Sequence, residues 1–260
     1  MTQEPARRTI DLNADVGESF GAWPMGADAE LIPLVSSANV ACGAHAGDPE
    51  TILRTVTLAA TSGVAIGAHP GYPDLAGFGR RDLDMTSSEL RASLIVQIGA
   101  VDAAARVVGG RVGHVKAHGA LYNRAARDAG VAQTIATTIR ELDDTLILVA
   151  LAGSVASAAG RAAGLRVVEE GFADRRYEAD GSLRSRRLPG AVLRVDEAVA
   201  QARSLATDGF VVAADGTRLA VRCESICIHG DSPDAVAIAR GARDALADAR
   251  ITVSAPLPRA

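Results

Sequence analysis

Few polar residues in this 260-residue sequence are able to do chemistry, and they are unevenly placed. All five histidines, the three asparagines, the three tyrosines, the single lysine Lys116 and Trp23 fall in or beside seven short segments. These are Asp11–Glu18 (DLNADVGE), Asn39–Asp48 (NVACGAHAGD), Gly67–Asp74 (GAHPGYPD), Gly77–Arg81 (GFGRR), His114–Asn123 (HVKAHGALYN), Phe172–Tyr177 (FADRRY) and His229–Asp231 (HGD). Imidazoles and carboxylates at that density can move protons, and guanidinium or ammonium groups beside them can hold an anion. His45, His69, His118 and His229 each lie close to Gly or Pro, in turns where a glycine lets the backbone approach a ligand. Twenty-six of the 27 basic residues are arginine, so the one lysine points to a site that needs a compact ammonium rather than a planar fork.

Several of these residues also have plainer readings. Asp48 precedes Pro49-Glu50 and could be a helix N-cap. His114 begins an apolar run and reads as a structural histidine. Cys42, Cys223 and Cys227 read as buried small hydrophobes. Glu18 could do no more than cap a turn, and Asp11 could support a neighbour rather than touch a ligand.

The elements that must position the segments alternate regularly. Short β-branched runs at Thr9–Leu12, Ala38–Ala41, Val64–Ala68, His114–Lys116, Leu146–Leu151, Leu165–Val168 and Ser225–Ile228 predict strands. Helical patterns lie between them. Thr86 and Glu89 form a capping box, and Leu90, Leu94, Ile98, Val101, Ala105 and Val108 then recur at spacings of three and four as one apolar stripe. Ser232-Pro233-Asp234 predicts a second capped start, and Gly63, Gly109 and Gly164 sit where helices end. Seven strand–helix alternations predict a parallel sheet with helical crossovers, closed or open. In either form, ligands sit beyond the carboxyl ends of the strands, where the seven segments fall. Ala173–Pro189 is the least periodic stretch. Its arginines predict a basic loop or hairpin laid over the site. No linker or repeat divides residues 1–260, which read as one domain of about barrel size.

Composition narrows the function. A net charge of −4 gives no basic field for nucleic acid or an anionic membrane. No apolar run approaches the roughly 20 residues of a spanning helix, and Met1–Arg8 lacks the apolar core of a secretion signal. Three cysteines, odd and sparse, suit a reducing cytoplasm.

Taken in order, DLNADVGESFGAW, ANVACGAHAGDP, GAHPGYPD, GFGRRD, HVKAHGALYN, GFADRRYEADGSL and CIHGD resemble the LamB/YcsF family of 5-oxoprolinase A subunits. The similarity spans roughly residues 9 to 255. Ala14 stands where the family often has Cys, Ala44 where it often has an aromatic residue, and Ala117 where it often has Pro. None of the three departures removes a histidine, a carboxylate or a basic side chain. The resemblance implies a (β/α)7-like TIM-type barrel of parallel strands related to sugar deacetylases. It further implies ATP-dependent hydrolytic opening of 5-oxoproline to L-glutamate, with Mg–ATP as co-substrate and partner subunits B and C. On that reading Asp15, His69, His118 and Asp174 supply acid and base, and Lys116 offsets developing charge. Arg80, Arg81 and Arg175 bind anionic groups, while Asn13, Asn39 and Asn123 orient the ring amide. His45, Tyr122, His229 and Asp231 add substrate contacts.

No G-x-x-x-x-G-K-[ST] loop occurs, so ATP would be held by another kind of site or partly by a partner. Asp11, Asp15, His45 and His69 could instead hold a divalent ion, as in a metal-dependent deacylase, although no metal ligand set is assigned. Two other functions fit the same residues: a stand-alone metal-dependent hydrolase of amides or N-acyl sugars, and a non-catalytic subunit that delivers substrate.

Overall fold

The computed structural model describes residues 8–256, so most of the Met1–Arg8 stretch lies outside the described residues, as do the last four residues of the chain. Ten strands occur in chain order: β1 (Thr9–Val16), β2 (Ser37–Ala41), β3 (Ala65–His69), β4 (Val112–Lys116), β5 (Ile147–Leu151), β6 (Arg166–Phe172), β7 (Phe210–Val212), β8 (Arg218–Ala220), β9 (Ser225–His229) and β10 (Thr252–Val253). Eight α-helices accompany them: α1 (Asp28–Leu31), α2 (Pro49–Thr61), α3 (Ser87–Val107), α4 (Gly119–Ala125), α5 (Ala129–Leu142), α6 (Val155–Ala162), α7 (Val195–Thr207) and α8 (Ala235–Asp248). Strands β1 to β6 pair in order and all in parallel. β9 then pairs with both β6 and β1, which closes a seven-stranded barrel. β10 adds two residues to the start of β1 outside the ring.

The helix signals work locally as read. Asp48 caps α2 by accepting from the amides of Glu50 and Thr51, and Thr86 with Glu89 forms the reciprocal box of α3. The predicted stripe of α3 buries Leu90, Leu94, Ile98, Val101 and Ala105 against the barrel wall. The other capped start is displaced: the Ser232 hydroxyl accepts from the Asp234 amide in the turn before the helix, and α8 begins after Asp234, whose own side chain makes no cap bond.

Two further differences concern strands. β7 and β8 form an antiparallel hairpin between α7 and β9, a strand-only region that the alternation did not predict. β6 also runs to Phe172, although its apolar run ends at Val168. Glu169 and Glu170 look like the end of a strand, yet Glu170 is fully buried. It can stay there because its partners come from other strands.

The barrel interior explains this. Alternate residues of a strand face opposite sides. On β1 the apolar set Leu12, Ala14 and Val16 joins the main core beneath the helices. The intervening set Asp11, Asn13 and Asp15 turns inward and is also buried. Ser37, Asn39, His114, Lys116, Glu170 and Ser225 join it from neighbouring strands, all buried. Only Ile147, Val149 and Val168 form an apolar patch apart from the main core. A TIM barrel is more often filled with branched apolar side chains. Here most of the fill is a hydrogen-bonded polar network, and most of the apolar packing lies outside the strands.

His114 is structural, as read, and Gly67 makes room for it. A Cβ on Gly67 would collide with the imidazole, whose Nε2 donates to Asn39 Oδ1 at 2.8 Å. The β3–β4 register shifts at Ile66/Gly67. Gly67→Ala should therefore displace His114 and lower stability by about 1–3 kcal/mol, the usual range for overpacking. Denaturant midpoints measure this, and an unchanged midpoint would show that the ring has room to move.

Candidate active site

The carboxyl ends of the strands open into a cavity of about 800 Å³. Asp15, His69, Lys116, His118, Tyr122 and His229 line its floor and walls. The Ala173–Pro189 stretch crosses its mouth, as expected. It is held by bridges between Tyr177 and Leu183 and between Arg175 and Val192, and Arg184, Arg186 and Arg187 face the cavity.

Lys116, at the end of β4, is 2% exposed. Its Nζ donates to Asp15 Oδ1 at 2.9 Å and Cys227 Sγ at 2.9 Å, lies 3.0 Å from Glu170 Oε1 and 3.3 Å from Asn13 Oδ1, and sits 5.3 Å above the Phe172 ring. Burial disfavours the ammonium, but Asp15, Cys227 and Glu170 outweigh it and hold its pKa well above the usual lysine value. Burial likewise works against the Asp15 carboxylate, and His69 and Lys116 hold its pKa well below normal. The two groups form a committed ion pair. The Cys227 thiol is pushed up by burial against the pull of Lys116, so sulfur accepts here as a neutral thiol.

A second group of side chains surrounds His69. Its Nδ1 lies 2.8 Å from the Lys116 carbonyl, and its Nε2 lies 3.0 Å from His118 Nδ1 and 3.4 Å from Asp15 Oδ2. His118 Nε2 lies 2.9 Å from the Phe78 carbonyl. His45 stacks on His118 with ring centroids 3.8 Å apart, and Glu18 Oε1 is 3.7 Å from His118 Nδ1. Burial pushes the pKa values of His45 and His118 well down, helped by neighbouring imidazoles. Burial and the charges of Asp15 and Asp231 push Glu18 well up. On the opposite wall, His229 Nδ1 donates to Asp174 at 3.0 Å, its backbone N–H donates to the same carboxylate at 3.1 Å, and Phe172 stacks on the ring.

The remaining predicted residues divide into those that reach the cavity and those that do not. Arg80 pairs with Asp231 at 2.6 Å on the rim, and Asn123 is exposed on the wall. Arg175 lines the cavity but is buried, with its guanidinium donating to the carbonyls of Ala191 and Arg184. Burial and Arg186 bring its pKa down to about 10. Arg81 reaches the wall, yet its side chain is 59% exposed and its guanidinium is held by Asp74.

Asn13 and Asn39 do not line the cavity. The Asn39 amide donates to Asn13 Oδ1 and Asp15 Oδ1, and the Asn13 amide donates to Glu170 and Ser225. They brace the ion pair from below, so the expectation that they orient the ring amide gives way to a positioning role. His45 is buried behind His118 rather than opening into the cavity. Asp11 leaves the expected metal grouping: Ser36, Ser37 and Ser225 donate to its carboxylate at the far end of the barrel. Asp174 orients His229 from beneath instead of facing the cavity.

Sequence reasoning underrated three groups. Glu170 was hidden by its adjacency to Glu169, Cys227 by reading as a small hydrophobe, and Glu18 by reading as a turn cap. The usable signal was position, since each lies within or two residues before a strand-end segment.

The LamB/YcsF family pattern matches residues 10–259. This chain belongs to that family. It is 53% identical over 249 residues to the A subunit of 5-oxoprolinase from Methylococcus capsulatus, covering 95% of this chain and 96% of that protein. It is 49% identical to the corresponding 5-oxoprolinase chain of Nocardia farcinica, covering 95% and 98%. The crystal structure of a lactam utilization protein from Thermus thermophilus superposes with a TM-score of 0.90 at 46% identity, covering 95% of this chain and all of that one, 100%. The catalytic domain of a peptidoglycan N-acetylglucosamine deacetylase from Eubacterium rectale superposes with a TM-score of 0.52 at 10% identity, covering 98% and 91%, a likeness of fold. The expected parallel barrel is thus the fold of this LamB/YcsF chain, and the deacetylase domain shares that fold. Among the described residues no helix is long and apolar enough to cross a membrane.

Asp174 gives a pH test of the His229 wall. Burial opposes its charge, but the His229 charge and hydrogen bonds hold its pKa below the ordinary 3.8. A carboxylate with a depressed folded pKa adds stability above its unfolded value, and that stability is lost as pH falls through the folded value. Asp174→Asn should cost about 1.5–3 kcal/mol near neutrality. The difference from the native chain should narrow as pH falls below 3.8. Thermal melts of both proteins across that range decide it, and a difference independent of pH would remove the charge from the account.

Proposed function

We propose that this chain is the A subunit of a cytoplasmic 5-oxoprolinase, which opens 5-oxoproline to L-glutamate at the expense of ATP together with B- and C-type subunits. The observation that carries the proposal is about 50% identity to proteins of that name over nearly the whole chain. The geometry fits the chemistry. A lactam carbonyl is a poor electrophile because the ring nitrogen delocalises into it. Transfer of a phosphoryl group from ATP to the carbonyl oxygen would activate the ring carbon; water could then add to it, the C–N bond could break as the ring nitrogen takes a proton, and a second water could release phosphate from the acyl phosphate left behind.

Each demand has a candidate residue. Arg80 and Arg175, with the arginines of the loop across the mouth, suit the substrate carboxylate and phosphate. Asp174 fixes the His229 tautomer with hydrogen on Nδ1, which leaves Nε2 as an acceptor able to take a proton from water. Lys116 sits at the cavity floor, where its ammonium can offset charge developing on oxygen. A cavity of about 800 Å³ is within the usual range for small-molecule sites. The missing nucleotide loop favours ATP being held in part by a partner, with Mg following the phosphates.

The test measures glutamate and phosphate released from 5-oxoproline and ATP. The chain alone should give little or no turnover, and adding B- and C-type subunits should restore it. Full ATP-coupled turnover by the isolated chain would overturn the division of labour. No product from the assembled proteins would overturn the function, and amide hydrolysis without nucleotide would favour a stand-alone hydrolase.

Lys116 provides a sharper check on the site. Four acceptors surround Nζ as a point charge, and a guanidinium fork is too wide for them. Lys116→Arg should therefore lose nearly as much activity as Lys116→Ala, on the order of 10²–10³ in turnover of the assembled complex. Both variants should also melt lower: Ala because removing one partner of a buried ion pair costs about 3–5 kcal/mol, Arg because overpacking a buried site costs about 1–3 kcal/mol. Near-normal turnover by the Arg variant would make Lys116 a packing residue.

A further inference from the structure

At the floor of the cavity, lone pairs converge without a hydrogen to share. His69 Nδ1 and His118 Nε2 each face a backbone carbonyl, at 2.8 Å and 2.9 Å. A carbonyl can only accept, so both nitrogens must carry the hydrogen. A neutral imidazole has only one, so the pair is a hydrogen short unless an added proton or a bound cation lies between the rings. His69 Nε2 and His118 Nδ1 are then bare acceptors, yet they face each other at 3.0 Å. Asp15 Oδ2 lies 3.4 Å from the first and Glu18 Oε1 lies 3.7 Å from the second.

His45 adds an independent observation. It is 0% exposed, and neither of its ring nitrogens has a hydrogen-bond partner in the protein. Buried polar atoms are nearly always paired. The Lys116 ammonium does not resolve the conflict, because it is directed at Asn13, Asp15, Glu170 and Cys227.

We propose that this cluster is a binding site for one divalent transition-metal ion of the zinc class, held by His45, His69, His118 and Glu18. One ligand atom from each lies within 4.8 Å of all the others. Tetrahedral ligands about 2.0–2.2 Å from one ion lie roughly 3.3–3.6 Å apart, so on binding the cluster contracts by up to about 1 Å at its longest edge and the His45 ring turns out of its stack on His118 to aim a nitrogen at the ion. Three imidazoles and a carboxylate suit zinc and its transition-metal neighbours better than magnesium or calcium, which prefer oxygen. The Lys116 and Phe78 carbonyls already do what outer partners of metal-bound histidines do: they fix the tautomer and aim the free nitrogen. Close backbone packing holds the rings. A Cβ on Gly79 would come within 2.8 Å of His118 Cδ2 and 2.9 Å of His45 Cβ. Of the grouping expected from sequence, His45 and His69 remain; Asp11 and Asp15 are replaced by His118 and Glu18.

The site does not rest on the 5-oxoprolinase reading, although it bears on it. An ion there would supply a Lewis acid beside Asp15 and Lys116, able to polarise a carbonyl or to lower the pKa of a bound water.

Metal content and binding, read without turnover, test the proposal. The untagged full chain, purified without added metal, should retain close to one transition-metal ion per chain by elemental analysis. After stripping with a chelator, titration with zinc or cobalt(II) should raise the melting temperature and saturate at one equivalent. Cobalt(II) should also develop visible absorption of an imidazole-rich site. His45→Ala and Glu18→Gln should weaken binding by more than the roughly 10–100-fold that loss of an outer partner costs. Folding of each variant is checked by circular dichroism, and the native chain carries the test if neither folds.

A folded native chain that holds no metal and does not respond to zinc, cobalt(II), manganese or iron(II) would overturn the site, leaving a proton or water to satisfy the cluster. Equal binding by folded variants would place the metal elsewhere and also overturn it. A chain that holds the metal but opens no lactam with its partners would remove the function and leave the site. Full turnover by a metal-free assembly would do the reverse.

Discussion

A single ammonium buried inside a closed barrel sets the positions of the other charges. Moving an ion out of water costs several kcal/mol even after the protein relaxes, so Lys116 can stay charged only among groups that repay its lost hydration. Asp15 comes from β1, Glu170 from β6, Cys227 from β9 and Asn13 from β1, and all converge on Nζ. Their mutual distances depend on strand register, since Asp15 pairs with His229 across one ladder and Glu170 with Ser225 across the next. A slip of one residue in any of these strands would turn a carboxylate out of the barrel. Register and charge balance therefore specify each other.

The polar interior has consequences beyond the ion pair. Tyr122 reaches in from α4 to donate to Glu170 Oε2 at 2.8 Å, which ties the first helix after β4 to the barrel floor. Asn39 links the ion pair to His114, and Gly67 leaves space for that ring. With polar groups filling the centre, the apolar energy of folding comes from the layer between strands and helices. The stripe of α3 and the outward residues of β1 belong to that layer. The groups around Lys116 are thus held in place, because Asp15, Asn13 and Glu170 are each hydrogen-bonded or ion-paired to a residue on another element. The rest of the polar lining comes from the arginine-bearing loop across the mouth.

A fold and a site carry different information. A deacetylase domain shares this architecture at 10% identity, whereas the lactam utilization protein shares 46% with a TM-score of 0.90. Barrels of one shape host unrelated reactions. For this chain, the chemistry is in the seven strand-end segments and the partners they meet across the cavity.

Those segments were legible in the sequence for physical reasons. Strand and helix periods, the Asp48 and Thr86 caps and the stripe of α3 are local properties, written within a few residues of where they act. A parallel sheet with crossovers follows from their alternation, and the clustering of rare polar residues at one end follows from where such sheets place ligands. Depth and partnership could not be read the same way. Glu170 looked like the end of a strand because the ammonium and phenol that hold it are 54 and 48 residues away. Asn13 and Asn39 looked like ligand contacts until the closed ring turned them downward. Only closure of the barrel decided which lone pairs of His45, His69 and His118 would meet, because hydrogen bonding inside a fold is settled by atoms that the chain brings together from far apart.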